Sequence, residues 1–143
     1  MVNRHARDIA SDAIREFMNG SISNKEDERR FQRSKDDPAL RSIYRNLWFC
    51  YSDVKEHTLT GDHALTDENR AVVRRCLLFL KSDLEFQWLP TTLLDWAAIL
   101  RVIGLGWIAK RRLERVARLG GDQDVWPFLT KAQYAQFKEV SQL

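Results

Sequence analysis

Two histidines and an aspartate near the middle of the chain are the residues best suited to chemistry. Asp53 and His57 are four positions apart and so share one face of a helix, and His63 follows across a short loop. A carboxylate with two imidazoles can bind zinc or exchange protons near neutral pH. The spacing matches no known metal motif, and these residue types are typical of exposed helix ends and loops. A metal-dependent or acid–base enzyme is therefore the last of three hypotheses.

Other patterns that support catalysis are missing from the sequence. It contains no glycine-rich phosphate loop and no nucleophile elbow. Asp83 and Glu85 are two positions apart and would diverge on a helix. Cys50 and Cys76 each lie in an apolar stretch with helical spacing, so we expect buried free thiols. We assign no catalytic residue and no cofactor, and an enzyme is the less favoured class.

A second candidate site is a basic helix predicted over residues 107–118. Its cations form one face, which we call the basic face: Lys110, Arg111, Arg112, Arg115 and Arg118. Such a face can contact the phosphates of a nucleic acid, or it can pair with a helix C-terminus and with acids of the same protein. Trp107 and Ile108 stand where a recognition helix would read bases, so sequence-specific reading is not expected. Nucleic-acid binding is the second hypothesis.

Large aromatic residues suggest a third kind of site. Residues 86–90 and 125–128 carry Trp88, Trp126 and Phe128, which could form a contact surface if exposed, or could fix loops onto the core. Because aromatic residues are plentiful and no catalytic set is present, a non-catalytic protein-interaction module is the first hypothesis. We therefore expect a protein partner rather than a nucleic acid.

A membrane location is not expected. The apolar run from Trp96 to Ala109 is too short to cross about 30 Å of hydrocarbon at about 1.5 Å per residue, and it contains Arg101. The N-terminal residues carry charges and lack the apolar stretch of a secretory signal. We therefore expect a cytoplasmic protein that does not associate with membranes.

Composition and periodicity predict an all-α fold. The chain has 143 residues, of which 44% are hydrophobic and 30% charged, with a net charge of +3. These values are typical of one globular domain, and the charge is too small to require a polyanionic partner. Apolar residues recur at helical spacing, whereas hairpin signals are absent from the sequence. We predict that residues 1–143 form a compact single-domain bundle of about six or seven helices.

Local signals place the first helices. A first helix should end at Gly20, and Ser23 with Glu26 forms a capping box for a second, very polar helix. Because the second helix has little apolar surface, residues 1–36 can form a loosely attached N-terminal segment.

Two further helices follow in the predicted bundle. Asp37 and Pro38 should begin a core helix that continues to Val54, and Thr66 should begin another that continues to about Trp88. We expect burial of three tryptophans: Trp48, Trp96 and Trp107.

Overall fold

The structure, a computed structural model, describes residues 1–31, 36–52, 54–88 and 120–140. Five α-helices lie in these ranges: α1 (Arg4–Met18), α2 (Asn24–Arg30), α3 (Pro38–Asn46), α4 (Asp67–Lys81) and α5 (Lys131–Val140). Short 3-10 turns cover Leu47–Cys50, Gly61–His63 and Gln123–Val125. The described ranges contain no strand, so the predicted helical class is confirmed.

The first helix is bounded by local backbone chemistry. The Asn3 side chain accepts from the Ala6 N–H at the start of α1. At the other end, the Ser21 and Gly20 N–H groups donate to the carbonyls of Glu16 and Phe17, which are among the last carbonyls of α1. Gly20 has φ of 73°, a conformation that L side chains rarely adopt, so the predicted stop is confirmed.

The third helix begins as predicted but ends early. The Asp37 carboxylate accepts from the Ala39 N–H at 3.1 Å, and Pro38 takes the first helical position. After Asn46 the chain tightens into a 3-10 turn, in which residues three apart point the same way. Leu47 and Cys50 therefore both face the core. The predicted continuation of one helix to Val54 is wrong.

The same turn changes the exposure of the tryptophan that follows Leu47. Because the inward positions are taken by residues 47 and 50, Trp48 and Phe49 face outward with 50% and 45% of their surfaces exposed. The predicted burial of Trp48 is therefore wrong. Trp96 and Trp107, for which burial was also predicted, lie outside the described residues.

The fourth helix starts at its predicted cap and is shorter than predicted. The Thr66 hydroxyl accepts from the Asn69 N–H at 3.2 Å. The helix ends at Lys81 rather than near Trp88, because Ser82 takes an extended conformation and its hydroxyl donates to the Phe79 carbonyl at 2.7 Å. The chain from Ser82 onward is held instead by arginine side chains of α1.

The N-terminal segment contributes directly to the buried core. Ala10, Ile14 and Phe17 of α1 belong to the same buried cluster as side chains of α3 and α4. The helix α1 packs against both α2 and α4. Phe128 extends this cluster toward α5, with its ring centroid 5.3 Å from that of Phe79.

A buried ion pair joins three of these helices. Two guanidinium nitrogens of Arg7 donate to Asp37, at 2.6 and 3.1 Å, and both side chains are almost fully buried. A third nitrogen donates to the carbonyls of Ser82 and Leu84, at 2.9 and 3.0 Å, just beyond α4. The guanidinium also lies 5.2 Å from the ring centroid of Phe79, within cation–π range. Arg7 thus connects α1 to the cap of α3 and to the end of α4.

Replacing Arg7 by Met should lower the free energy of unfolding by about 3–5 kcal/mol, because the buried Asp37 carboxylate loses its counter-charge. The matched control is Arg15→Met on the same helix, where an exposed guanidinium lies 3.6 Å from Asp12. This control should change the free energy by at most about 1 kcal/mol. Equal effects of the two variants in urea denaturation would contradict this assignment.

The Arg7–Asp37 pair also predicts that the free energy of unfolding decreases at acid pH. Burial alone would raise the pKa of Asp37, but hydrogen bonds from Arg7 and from two backbone N–H groups lower it overall. The folded pKa lies below the unfolded one, so this contribution is present above about pH 4 and is lost as the pH falls below that value. In a pH series of urea denaturations, the free energy of unfolding of Arg7→Met should fall less steeply with decreasing pH than that of the wild type.

Candidate functional site

The short helix α2 turns a polar face toward the protein interior. Asn24 and Asp27 are three positions apart, and their exposed fractions are 2% and 0%. The Ser23 hydroxyl caps the helix by accepting from the Glu26 N–H, as predicted. The Glu26 carboxylate pairs with Arg30 instead of completing the capping box. The buried polar face of α2 holds the chain segment that follows the 3-10 turn at Leu47–Cys50.

Asn24 binds the backbone of this segment on both sides. Its amide nitrogen donates to the carbonyls of Ser52 and Lys55, at 3.1 and 3.2 Å, and its amide oxygen accepts from the His57 N–H at 2.9 Å. The Asn24 backbone N–H also donates to the His57 carbonyl at 2.9 Å. These bonds use both amide protons and the amide oxygen, so they fix the backbone at Ser52, Lys55 and His57.

Asp27 holds the side chain at the start of the same segment. The Tyr51 hydroxyl donates to Asp27 Oδ2, and the Tyr51 ring stacks on Phe17 with centroids 5.7 Å apart. The other oxygen, Oδ1, is buried and has no partner among the described residues. Burial raises the pKa of Asp27 to about 6, although the bond from Tyr51 acts in the opposite direction. Burial likewise raises the pKa of Tyr51 well above its usual value.

His57 closes the segment with its imidazole ring. Nε2 lies 3.1 Å from the Cys50 carbonyl, and Nδ1 lies 3.2 Å from the Lys55 carbonyl. Carbonyl oxygens only accept, so a neutral imidazole can donate to just one of them, whereas an imidazolium can donate to both. A metal ion could bind His57 only if one of these contacts were broken.

The two histidines of the candidate metal site do lie together. The ring centroids of His57 and His63 are 4.4 Å apart in a groove of about 230 Å³, which Asp62 also lines. Asp53 lies outside the described residues. Among the residues that are described, no group of three or more His, Cys, Asp or Glu side chains is arranged to hold a metal ion.

The outer side of this region exposes apolar side chains. We define the aromatic patch as Trp48, Phe49 and Val54, which are 50%, 45% and 95% exposed. The Trp48 ring has edge contact with Tyr44, at 6.4 Å between centroids, and a tilted contact with Tyr51 at 6.2 Å. The Trp48 ring therefore rests against the buried Tyr44 ring and the partly buried Tyr51 ring, and the patch adjoins the backbone that Asn24 binds at Ser52 and Lys55.

Charged residues of both signs lie near the aromatic patch in the chain or contact it through Tyr44. Arg41 and Arg45 are exposed on α3, and neither has an ion-pair partner within the described ranges. The Glu28 carboxylate accepts from the Tyr44 hydroxyl at 2.7 Å, and Glu56 accepts from the Ser23 hydroxyl at 2.5 Å. An apolar centre with a charged rim is typical of protein interfaces.

The other predicted contact residues have different positions. Phe128 is fully buried between α4 and α5, so the proposal that it contacts a partner is corrected. Trp88 is partly buried and donates from Nε1 to the Pro127 carbonyl at 3.0 Å, and the Trp126 carbonyl accepts from Arg75 at 3.1 Å. Both contacts attach the loop at 125–128 to the rest of the fold. The basic face, Lys110, Arg111, Arg112, Arg115 and Arg118, lies outside the described residues.

The two cysteines are free and buried, as predicted. Burial raises the pKa of the Cys50 thiol to about 12, and burial raises the pKa of the Cys76 thiol as well. Thiols with raised pKa carry little thiolate at neutral pH and are poor nucleophiles. Neither cysteine therefore provides a reactive group for catalysis.

Sequence reasoning missed Asn24, Asp27 and the exposure of the aromatic patch. The polar composition of α2 suggested weak attachment, because its partners lie about thirty residues away in the chain. One signal was nevertheless present, since Trp48 and Phe49 are adjacent. Consecutive residues of a helix point about 100° apart, so a narrow core stripe does not bury both.

Comparisons with known proteins assign no family. The chain matches no protein-family model, no curated protein and no solved structure. Within the described ranges, no helix is both long and apolar enough to cross a membrane. The candidate site therefore rests on its own geometry.

Replacing Asn24 by Asp should lower the free energy of unfolding by about 2–4 kcal/mol, because an oxygen that cannot donate would then face two carbonyls. The matched control is Asn46→Asp, which changes an exposed amide that donates only to the Ser42 carbonyl. We expect the control to cost less than about 1 kcal/mol. Similar costs in thermal or urea unfolding would show that the Asn24 contacts do not hold the segment.

Asp27 predicts a pH-dependent stability of opposite sign to that of Asp37. Its folded pKa of about 6 exceeds the ordinary value of 3.8, so the protein loses stability as the pH rises through about 6. The difference in unfolding free energy between Asp27→Asn and the wild type should therefore shift in favour of the variant between pH 4 and pH 8, by at most about 3 kcal/mol. A difference that stays constant across this range in urea denaturation would contradict the assignment.

Proposed function

We propose that this protein is a non-catalytic helical module that binds another protein through the aromatic patch. The observation that supports this most strongly is the exposure of Trp48, Phe49 and Val54 beside a backbone that Asn24 binds at Ser52, Lys55 and His57. Large apolar side chains exposed on a folded surface are a recognised sign of an interaction site.

The fixed backbone favours binding because the segment loses little further conformational entropy when a partner binds. A flexible loop loses conformational entropy when a partner immobilises it, and a loop that is already held loses less. Asn24 and Asp27 hold Tyr51, Ser52, Lys55 and His57 before any partner binds. Tryptophan, tyrosine and arginine, the residue types found here, are also the types enriched at the centres of interfaces.

The two alternative functions, nucleic-acid binding and catalysis, have less support. Nucleic-acid binding through the basic face depends on residues 107–118, which lie outside the described ranges. An enzyme based on Asp53, His57 and His63 would have to release His57 from its carbonyl contacts. For the fold, we propose the single bundle of about six or seven helices that the sequence predicts, of which five helices lie in the described ranges.

Replacing Trp48 by Ala should weaken binding to the natural partner at least about 30-fold, as expected for a residue at the centre of an interface. The partner would first be isolated by affinity capture from the source organism with the wild-type chain, and the dissociation constant then measured by calorimetry. Arg74→Ala on the exposed side of α4 is the control and should bind like the wild type. A partner that binds Trp48→Ala and Val54→Ser as tightly as the wild type would overturn the proposal, provided that circular dichroism shows both variants folded.

A further inference from the structure

We propose that the partner presents an acidic amphipathic helix, which lies along the exposed side of α3 and inserts an apolar side chain against the aromatic patch. This inference rests on the proposed function and adds the chemistry of the partner. It follows from the arrangement of Arg41, Arg45 and Trp48, which form a line of exposed side chains leading to the patch.

The line follows from helical spacing. Arg41 and Arg45 are four positions apart and lie on the same side of α3, and Trp48 follows three positions later in the 3-10 turn. At about 1.5 Å per residue, this line is about 10 Å long. That length corresponds to two turns of a bound helix, so carboxylates at i and i+4 would face the two arginines. An apolar side chain one turn further along would then meet Trp48 and Phe49.

The charges on this line differ from those on α1 and α2. On α1 and α2, exposed arginines are paired with carboxylates of the protein itself: Arg4 with Asp8, Arg15 with Asp12, and Arg30 with Glu16. Arg41 and Arg45 have no such partner among the described residues. Arginine binds carboxylates with two parallel hydrogen bonds, so a pair of exposed guanidiniums is complementary to an acidic helix face.

The same surface is less suited to a nucleic acid. Glu28 is hydrogen-bonded to Tyr44, whose ring contacts Trp48, and Glu56 lies two positions after Val54. A continuous phosphate backbone that reached Trp48 would approach the Glu28 carboxylate, whereas an amphipathic helix carries its charges on one side only. The cationic segment 107–118 of this chain is an unsuitable occupant as well, because its charges have the same sign as Arg41 and Arg45.

The test selects peptides against the folded full-length chain from a display library of random sequences of about 16 residues. We expect the enriched peptides to be acidic, with two carboxylates three or four positions apart and a large apolar residue one turn away. The double reversal Arg41→Glu with Arg45→Glu should weaken their binding at least roughly tenfold. Arg74→Glu with Lys81→Glu reverses the same number of charges on the exposed side of α4, and this control should leave binding unchanged.

A charge-swapped peptide provides the decisive part of the experiment. When the two carboxylates of an enriched peptide are replaced by arginines, the new peptide should bind the Arg41→Glu, Arg45→Glu variant better than it binds the wild type. This rescue would not occur if the reversal had only disturbed the fold, and circular dichroism of each variant provides an independent check.

The remaining outcomes separate this inference from the proposed function. Enriched peptides that require Trp48 for binding but are neutral or basic are one such outcome, and enriched peptides that bind the double reversal as tightly as the wild type are another. Either result would overturn the proposed acidic helix and would leave the proposed interaction surface in place. A selection that enriches no peptide, or only peptides indifferent to Trp48→Ala, would overturn both. A single-stranded oligothymidylate that binds the wild type but not the double reversal, in a selection that enriches no peptide, would assign the surface to nucleic acid.

Discussion

The fold depends on the buried pairing of Arg7 with Asp37. A charge that is removed from water must be paired and hydrogen-bonded, so each of these side chains requires the other in one geometry. Asp37 also caps α3, and Arg7 also binds the carbonyls that follow α4. One ion pair therefore sets the positions of α1, α3 and α4 together. Because α3 leads directly into the 3-10 turn, the same pair determines where Trp48 and Phe49 emerge.

The helix α2 supplies the second constraint, and it does so with polar contacts. An apolar side chain in place of Asn24 would fill space but would leave the carbonyls of Ser52 and Lys55 unsatisfied. The amide fixes the backbone of the segment as well as its position. Asp27 performs the equivalent task for Tyr51, and its raised pKa reflects the cost of burying a carboxylate that has one oxygen without a described partner. These inner polar contacts therefore hold the segment beside the aromatic patch in one conformation.

Local features of the fold could be predicted from the sequence, and long-range ones could not. The caps at Asp37 and Thr66 and the stop at Gly20 depend on neighbouring residues, and all three were identified. The proximity of His57 and His63 also followed from their short separation. By contrast, the contacts of Asn24 join residues 28 to 33 positions apart, which no local pattern reveals.

The exposure of the patch was missed for a different reason. Each residue of a 3-10 helix turns about 120° rather than about 100°, so a change of helix type directly after α3 rotates the following side chains away from the predicted stripe. Trp48 fitted the α-helical stripe and is exposed in the structure. Nothing in the residues from Asn46 to Cys50 forbids the α conformation, and tertiary packing of Leu47 and Cys50 selects the tighter turn.

Hydrogen exchange at the His57 amide tests most directly whether α2 holds this segment in one conformation. This N–H donates to the Asn24 side chain at 2.9 Å, and the Phe31 N–H, which donates to the Asp27 carbonyl at 2.8 Å, reports on the end of α2 itself. If α2 holds the segment in one conformation, the two amides should show similar protection in the native protein. Exchange of the His57 amide at the rate of an unstructured peptide, with the Phe31 amide still protected, would contradict the account.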